Sequence, residues 1–164
     1  MFEQGNHVVC KNSGVCLVDG ITTLNMNGID KDKKYYILKP IYIRSSTIYI
    51  PVDNANATMR RMLSKEEALA LISSIPKISF MQIGNEKTLE VNYKKCLMQN
   101  NCTELVKLIK TIYIRKTKRV SDGRKITATD SKYLKLAETC LFGELSMALD
   151  ISKEEAADCF KNQL

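Results

Sequence analysis

Two hydrophobic patterns divide the chain near residue 58. Before that point, β-branched and aromatic residues alternate or run together, which predicts strands at residues 7–10, 15–18, 35–38, 42–43 and 47–52. Turn-forming residues separate these segments, at Asn12-Ser13-Gly14, Asp19-Gly20, Asn27-Gly28 and Pro40. Short strands joined by tight turns predict a small, strongly bent antiparallel sheet or barrel, a form that usually leaves one strand edge exposed.

From residue 59 onward, apolar residues recur at the three- and four-residue spacing of helices. Ser64 and Glu67 form a capping-box pattern that predicts a helix of about ten residues ending before Pro76. A second helix is predicted over residues 89–98, ending at Asn100-Asn101. Later helix starts are indicated by Thr127 with Asp130 and by Ser152 with Glu155.

The third predicted helix has two distinct faces. Its apolar stripe contains Leu105, Leu108, Ile109 and Ile112, whereas Lys107, Lys110 and Lys118 fall on the other side. Together the two patterns predict an α+β, two-domain protein, with a β-barrel domain at residues 1–56 and a bundle of about five helices at residues 57–164.

The 164 residues include 25 Lys and Arg against 18 Asp and Glu, for a formal net charge of +7. Most of the excess lies in residues 107–125, which hold one acid, Asp122, and eight basic residues: Lys107, Lys110, Arg115, Lys116, Lys118, Arg119, Arg124 and Lys125. Such a run is often only a solvated face. Its concentration on one helix and the following turn is also typical of a surface that follows nucleic-acid phosphates.

Few residues suggest catalysis or metal binding. The chain has one histidine, His7, no glycine-rich phosphate loop, and six cysteines without zinc-ligand spacing, so we expect no metal, cofactor or small-molecule substrate. Cys10 with His7 remains a possible nucleophile pair, although their spacing puts them on opposite faces of a strand. The apolar runs are too short to span a membrane and the N-terminus lacks a signal-peptide pattern, so we expect a cytoplasmic protein with reduced thiols.

Several segments resemble the CarD/CdnL family of bacterial transcription regulators. They are Phe2-x-x-Gly5-x-x-Val8-Val9, Gly14-Val15, the strand at 35–38, Ile50-Pro51-Val52 with Asn54-Ala55, Arg60 with Leu63, Tyr93-Lys94, and the pattern from Ala137 to Ala148. The resemblance implies a Tudor-like, SH3-like barrel that docks on the RNA polymerase β subunit by strand-edge addition. It also implies a non-enzymatic helical domain that contacts promoter DNA with little sequence preference and stabilises the open complex.

The resemblance implies specific contact residues as well. It gives Leu24, Ile48, Tyr49, Ile50 and Pro51 as polymerase-binding candidates, and Leu89 and Lys94 as DNA-binding candidates. The charge run supplies the other DNA-binding candidates, which are Lys95, Arg115, Lys116, Arg119, Arg124 and Lys125. The family's minor-groove tryptophan is absent, and Leu89 stands at its position. Tyr49 and Leu24 replace arginines that are common in the family. Tyr49 alternates with two isoleucines, so it is either an exposed edge side chain or packed against a helix.

Two other functions remain open at this stage. The chain could be a protein-only interaction module whose helical domain does not bind DNA. A small RNA- or nucleotide-processing enzyme is the third alternative, although the chain shows no acid–base set that would support it.

Overall fold

A computed structural model describes residues 1–44 and 47–164. Five strands come first: β1 (His7–Cys10), β2 (Gly14–Thr23), β3 (Lys34–Pro40), β4 (Ile48–Pro51) and β5 (Met59–Arg61). The helices are α1 (Ala55–Thr58), α2 (Lys65–Ser74), α3 (Glu86–Met98), α4 (Cys102–Ser121), α5 (Ala128–Leu149) and α6 (Lys153–Lys161). Short 3₁₀ turns occupy Val52–Asn54 and Ile75–Lys77. The predicted α+β class, with an N-terminal sheet and a helical C-terminal part, is confirmed.

The five strands form one antiparallel sheet in the order β4-β3-β2-β1-β5. β2 is longer than predicted, because the β2–β3 register shifts between Val18 and Gly20. A bulge lets a strand bend and continue, so the expected turn at Asp19-Gly20 was wrong. The predicted strand at 42–43 is also wrong, since the chain bends there after β3 ends at Pro40.

The sheet does not end at the predicted domain boundary. Residue 56 lies within α1, and β5 follows it and pairs with β1 through Arg61 opposite Val8. Val8, Val18, Tyr36, Leu38 and Met59 contribute to the buried core of the sheet. The division into two domains stays a prediction, because the helical part packs directly on this sheet.

Three helices begin where their caps predict, whereas α3 begins at Glu86, three residues before its predicted start, after an Asn85 cap. Ser64 and Ser152 both accept a hydrogen bond from the backbone amide three residues later, and Glu67 and Glu155 complete capping boxes. Thr127 accepts from the amide of Asp130 at the start of α5. Asn101 caps α4 through its side-chain oxygen, which accepts from the amide of Thr103, two residues later.

Helix α5 is the central element of the molecule. It packs against α2, α3, α4 and α6, and it also contacts β2 of the sheet. Every residue from Cys140 to Ser146 is buried, as expected for a helix segment that is covered on all sides. At Gly14, whose φ is +66°, an added Cβ would lie 3.3 Å from the Cα of Cys140, so a glycine permits this close approach of β2 and α5.

Candidate functional site

Strand β4 presents an edge of the sheet. It pairs with β3, with Tyr49 opposite Ile37 and Ile50 opposite Tyr36, and it ends the strand order. Tyr49 is 47% exposed whereas Ile50 is 7% exposed. The alternation predicted for this strand is therefore present, and the Tyr49 side chain lies on the outer face of an edge strand, the arrangement that accepts an added strand.

The other polymerase-binding candidates are less exposed to solvent than Tyr49. Ile48, Pro51 and Leu24 are half-buried, and Leu24 follows the end of β2. The buried side chain of Ile50 leaves only its backbone for a partner. Within this candidate set, Tyr49 is thus the residue whose side chain is available for direct contact.

In the basic run at 107–125, some side chains have partners within the protein and others face solvent. Lys107 forms an ion pair with Glu104 at 3.0 Å. The ammonium of Lys110 donates hydrogen bonds to the carbonyl oxygens of Ile75 and Ile78. Five basic residues lie farther along, on the last turns of α4 and in the turn after it. They are Lys116, Lys118, Arg119, Arg124 and Lys125, all exposed except the half-buried Arg119, whose Nε donates to the Lys125 carbonyl oxygen. We call these five residues the basic segment.

Arg115 was predicted to bind DNA, but its charge is used inside the bundle. Its Nε donates to the buried Asp130 at 3.1 Å, and its Nη1 donates to Glu86 at 2.8 Å. These two carboxylates raise the pKa of Arg115 further above its usual value, the hydrogen bond to Glu86 being the main cause. Asp130 also accepts from the hydroxyl of Tyr93 at 2.7 Å, so Arg115 joins α3, α4 and α5.

Leu89 was predicted to be a DNA wedge, and the structure places it in the helical core. Its side chain is 4% exposed and belongs to the cluster with Tyr93, Leu105 and Ile109. A wedge must project from the surface to separate base steps, so this prediction is corrected: Leu89 packs the bundle. Helical spacing alone does not distinguish a core leucine from an exposed one at a helix start.

A second group of cations lies near the start of α5. Lys94 and Lys95 are exposed on α3, and Lys94 lies 3.8 Å from Glu90. Sequence reasoning did not select Lys132, which lies 3.9 Å from the same carboxylate. Glu90 accepts a hydrogen bond from the Tyr133 hydroxyl, which with the nearby lysines lowers its pKa. Only the three-dimensional proximity of α3 and α5 reveals this pairing.

The cysteines do not form a reactive site with His7. His7 is exposed on β1, whereas Cys10 is buried on the same strand. Hydrogen bonding to the neighbouring Cys10 raises the pKa of Cys16, and the same contact lowers the pKa of Cys10. Burial raises the pKa values of Cys96 and Cys140 to about 11, so these thiols stay protonated at neutral pH.

Membrane spans and metal clusters are both absent from residues 1–44 and 47–164. No helix in this range is long and apolar enough to cross a membrane. The same residues contain no group of three or more His, Cys, Asp or Glu side chains arranged to hold a metal ion.

Comparison with known proteins identifies the N-terminal part. Residues 2–63 match the model of the CarD-like/TRCF RID domain, an interaction domain whose presence supports a general role in binding RNA polymerase. No curated protein matches the chain. The matched residues contain all five strands and extend past β5, and the resemblance of the helical part stays a prediction. Residues 2–63, less than half of the chain, are therefore similar to the CarD-like/TRCF RID domain family.

Proposed function

We propose that this protein is a transcription regulator that binds the RNA polymerase β subunit through the β4 edge and contacts promoter DNA through the basic segment. In this proposal, the two contacts together stabilise the open complex. The observation that carries it is the match of residues 2–63 to a polymerase-interacting domain whose sheet has an exposed edge strand.

The polymerase contact is proposed to use backbone pairing along β4 and the side chain of Tyr49. Edge addition takes its affinity from main-chain hydrogen bonds and its specificity from alternate side chains, and Tyr49 is the exposed member of the alternation. The aromatic ring offers a large apolar area and a hydroxyl, which suits the centre of a protein interface.

Tyr49→Glu tests this contact in the full-length chain. We expect it to weaken binding to the isolated polymerase β subunit by at least about tenfold, because it places a charge in a desolvated interface. The matched control is Leu69→Glu, which puts the same charge at an exposed apolar position on α2. Equal affinities of the two variants, measured by surface plasmon resonance, would contradict the assignment of β4 as the docking edge.

The DNA contact is proposed to be electrostatic. Lys116, Arg119, Arg124 and Lys125 remain candidates after Arg115 and Leu89 are withdrawn, and Lys118 joins them. Lys94 and Lys95, exposed on α3, are kept as secondary candidates, with the Lys94 charge offset by Glu90. Contacts from Lys and Arg to phosphates carry no sequence information, and no known base-reading motif accompanies these residues, so we expect little sequence preference.

The salt dependence of DNA binding tests this contact. Replacing Lys116, Arg119, Arg124 and Lys125 with Ala should weaken duplex binding and reduce the slope of log affinity against log salt by about 0.9 for each phosphate that the variant no longer neutralises. A control with Ala at Lys31, Lys34, Lys65 and Lys77 removes the same formal charge from exposed positions elsewhere. Fluorescence anisotropy between about 50 and 200 mM salt measures both quantities.

The result also separates this proposal from the alternative. If both quadruple variants retain wild-type affinity for polymerase but differ in DNA affinity, the basic segment is a DNA contact. If the wild type binds polymerase and shows no salt-dependent DNA binding, the chain is a protein-only interaction module and the DNA part of the proposal fails.

A further inference from the structure

A groove of about 1420 Å³ runs along the second half of α4. α4 forms one wall, and the first half of α5, the end of α6 and the loop at residues 76–80 form the others. Its volume exceeds the range of about 300–1,000 Å³ that is usual for small-molecule sites. The size suits a segment of polypeptide.

The lining of the groove is mainly apolar and open to solvent. Phe80 is 53% exposed, Ile114 is 48% exposed and Val120 is 58% exposed. Ile114 and Val120 both line the groove, between one and two turns apart on α4, with Thr117 between them. Large exposed side chains grouped along one groove indicate an interaction surface, whereas isolated ones do not.

The loop that carries Phe80 is fixed in place by hydrogen bonds to α4. The amide of Met81 donates to the Thr111 hydroxyl at 2.8 Å, and the ammonium of Lys110 donates to the Ile75 carbonyl oxygen at 2.8 Å. This preorganisation means that a ligand would not have to order the loop when it binds.

The rim of the groove is positively charged. Lys116, Lys118 and Lys161 line it, and none of them forms an ion pair with a residue in the described ranges. Glu138, the acidic side chain among the described lining residues, accepts a hydrogen bond from the hydroxyl of Tyr113 within the bundle. Among the described lining residues, four lysines, Lys110 included, therefore outnumber one side-chain carboxylate, and the groove carries a net positive charge.

We propose that this groove docks an acidic amphipathic helix of a partner protein. The apolar face of such a helix would cover Phe80, Ile114 and Val120, and its carboxylates would reach Lys116, Lys118 and Lys161. This is the helix-in-groove mode of recognition with a complementary charged rim. Nucleic acid is the less favoured occupant, because a phosphate backbone has no apolar ridge to fill the floor of the groove.

The test uses the full chain and a fluorescein-labelled synthetic helix of about 16 residues. The peptide carries Leu at i, i+3, i+4 and i+7 and Glu on its other face, and a second peptide has Lys in place of every Glu. We expect the acidic peptide to bind in an anisotropy titration, and Val120→Asp or Ile114→Asp to weaken it by at least about tenfold. Lys118→Glu should weaken it as well.

The control is Val91→Asp, which places the same charge at an exposed apolar position on α3 and should leave peptide affinity unchanged. Circular dichroism establishes that each variant is folded. The proposal is overturned if the acidic peptide does not bind below about 1 mM, if the basic peptide binds equally well, or if Val91→Asp and Val120→Asp act alike. It is also overturned if the uncharged variant Val120→Ser weakens duplex DNA binding as much as peptide binding, since the groove would then belong to DNA.

Discussion

Glu67 is held as an anion by its immediate neighbours. Arg61 binds both of its carboxylate oxygens, at 2.6 and 2.7 Å, and the backbone amide of Ser64 donates to Oε2 at 2.8 Å. These contacts, the Arg61 hydrogen bond first, lower the pKa of Glu67 to about 2 from its usual value of 4.5. The lowered pKa gives the capping box at the start of α2 a defined pH dependence.

Glu67→Gln should therefore cost stability at neutral pH and cost progressively less in acid. In the unfolded chain Glu67 takes up a proton near pH 4.5, whereas in the folded chain it stays charged until about pH 2. The stabilisation that charged Glu67 provides is therefore complete above pH 4.5 and is lost as the pH falls from about 4.5 to about 2. The gap between the urea unfolding midpoints of wild type and variant, followed from pH 7 down to pH 2, should narrow as the pH falls. Glu66→Gln in the same helical turn is the control, and a gap that stays constant with pH would contradict the prediction.

For single residues, the sequence predicts hydrogen-bond partners that lie close along the chain well, and partners in other elements poorly. Ser64 and Glu67 lie three residues apart, so their mutual hydrogen bonds follow from helix geometry. Arg115 belongs to a basic run, but its partner Asp130 lies 15 residues away in another helix. A charge pattern does not reveal such a partner, because the pairing depends on how α4 packs against α5.

Gly143 shows how one position fixes the approach of two elements. A Cβ built on this residue of α5 would lie 2.5 Å from Cδ2 of Tyr42, which belongs to the bend that follows β3. The ammonium of Lys153 lies 4.8 Å from the centre of the same ring, within cation–π distance. The segment at residues 41–43 is thus packed under α5.

Gly143→Ala should destabilise the protein by about 1–3 kcal/mol, even though Ala is the better helix former by about 1 kcal/mol. The reason is overpacking, since the rigid Tyr42 ring has to leave its place. The double variant Gly143→Ala with Tyr42→Ala removes the clash and should not show the full sum of the two single effects. Denaturant unfolding of the four proteins measures the coupling, and strict additivity would contradict the proposed contact.

The elements that sequence patterns predict are those with strong local signals. Both capping boxes, the Thr127 cap and the apolar stripe of α4 are present as expected. β5 was missed because Met59-Arg60-Arg61 has no alternating pattern and is ordered by pairing with β1. The strand predicted at 42–43 has suitable residues, but tertiary packing against Gly143 determines its conformation.

The sheet and the helices are joined by a buried ion pair. Arg60 of β5 binds both carboxylate oxygens of Glu144 on α5, at 2.7 and 2.8 Å, and the Glu144 side chain is fully buried. The Leu63 amide at 2.9 Å and the Cys102 thiol at 3.1 Å also donate to this carboxylate. Removing one member of such a set leaves a buried group unpaired, which typically costs about 3–5 kcal/mol.

Thiol labelling tests whether the whole molecule opens as one unit. Cys159 is partly exposed and should react first with iodoacetamide, whereas the five buried thiols should react slowly and at similar rates. These comprise Cys10 and Cys16 in the sheet and Cys96, Cys102 and Cys140 in the helical part. Glu144→Ala should speed the labelling of all five by about a hundredfold or more, with Glu154→Ala, at an exposed position, as the control.

Mass spectrometry of digested samples assigns the rate to each cysteine. If Cys10 and Cys16 react much faster than Cys96 in the wild type, the sheet opens independently of the helices. That outcome would contradict the cooperative joining attributed to Arg60 and Glu144.

The ion pair between Arg60 and Glu144 also affects how tightly the basic segment must bind DNA in the proposed function. Because Arg60 and Glu144 hold the sheet against α5, docking of β4 on polymerase would carry the basic segment to one fixed location and not to the wide volume swept by a flexible tether. A short, stiff connection gives a second binding event a high effective concentration when the geometry matches. Weak phosphate contacts then suffice at promoters where polymerase is already bound, while free DNA elsewhere competes poorly.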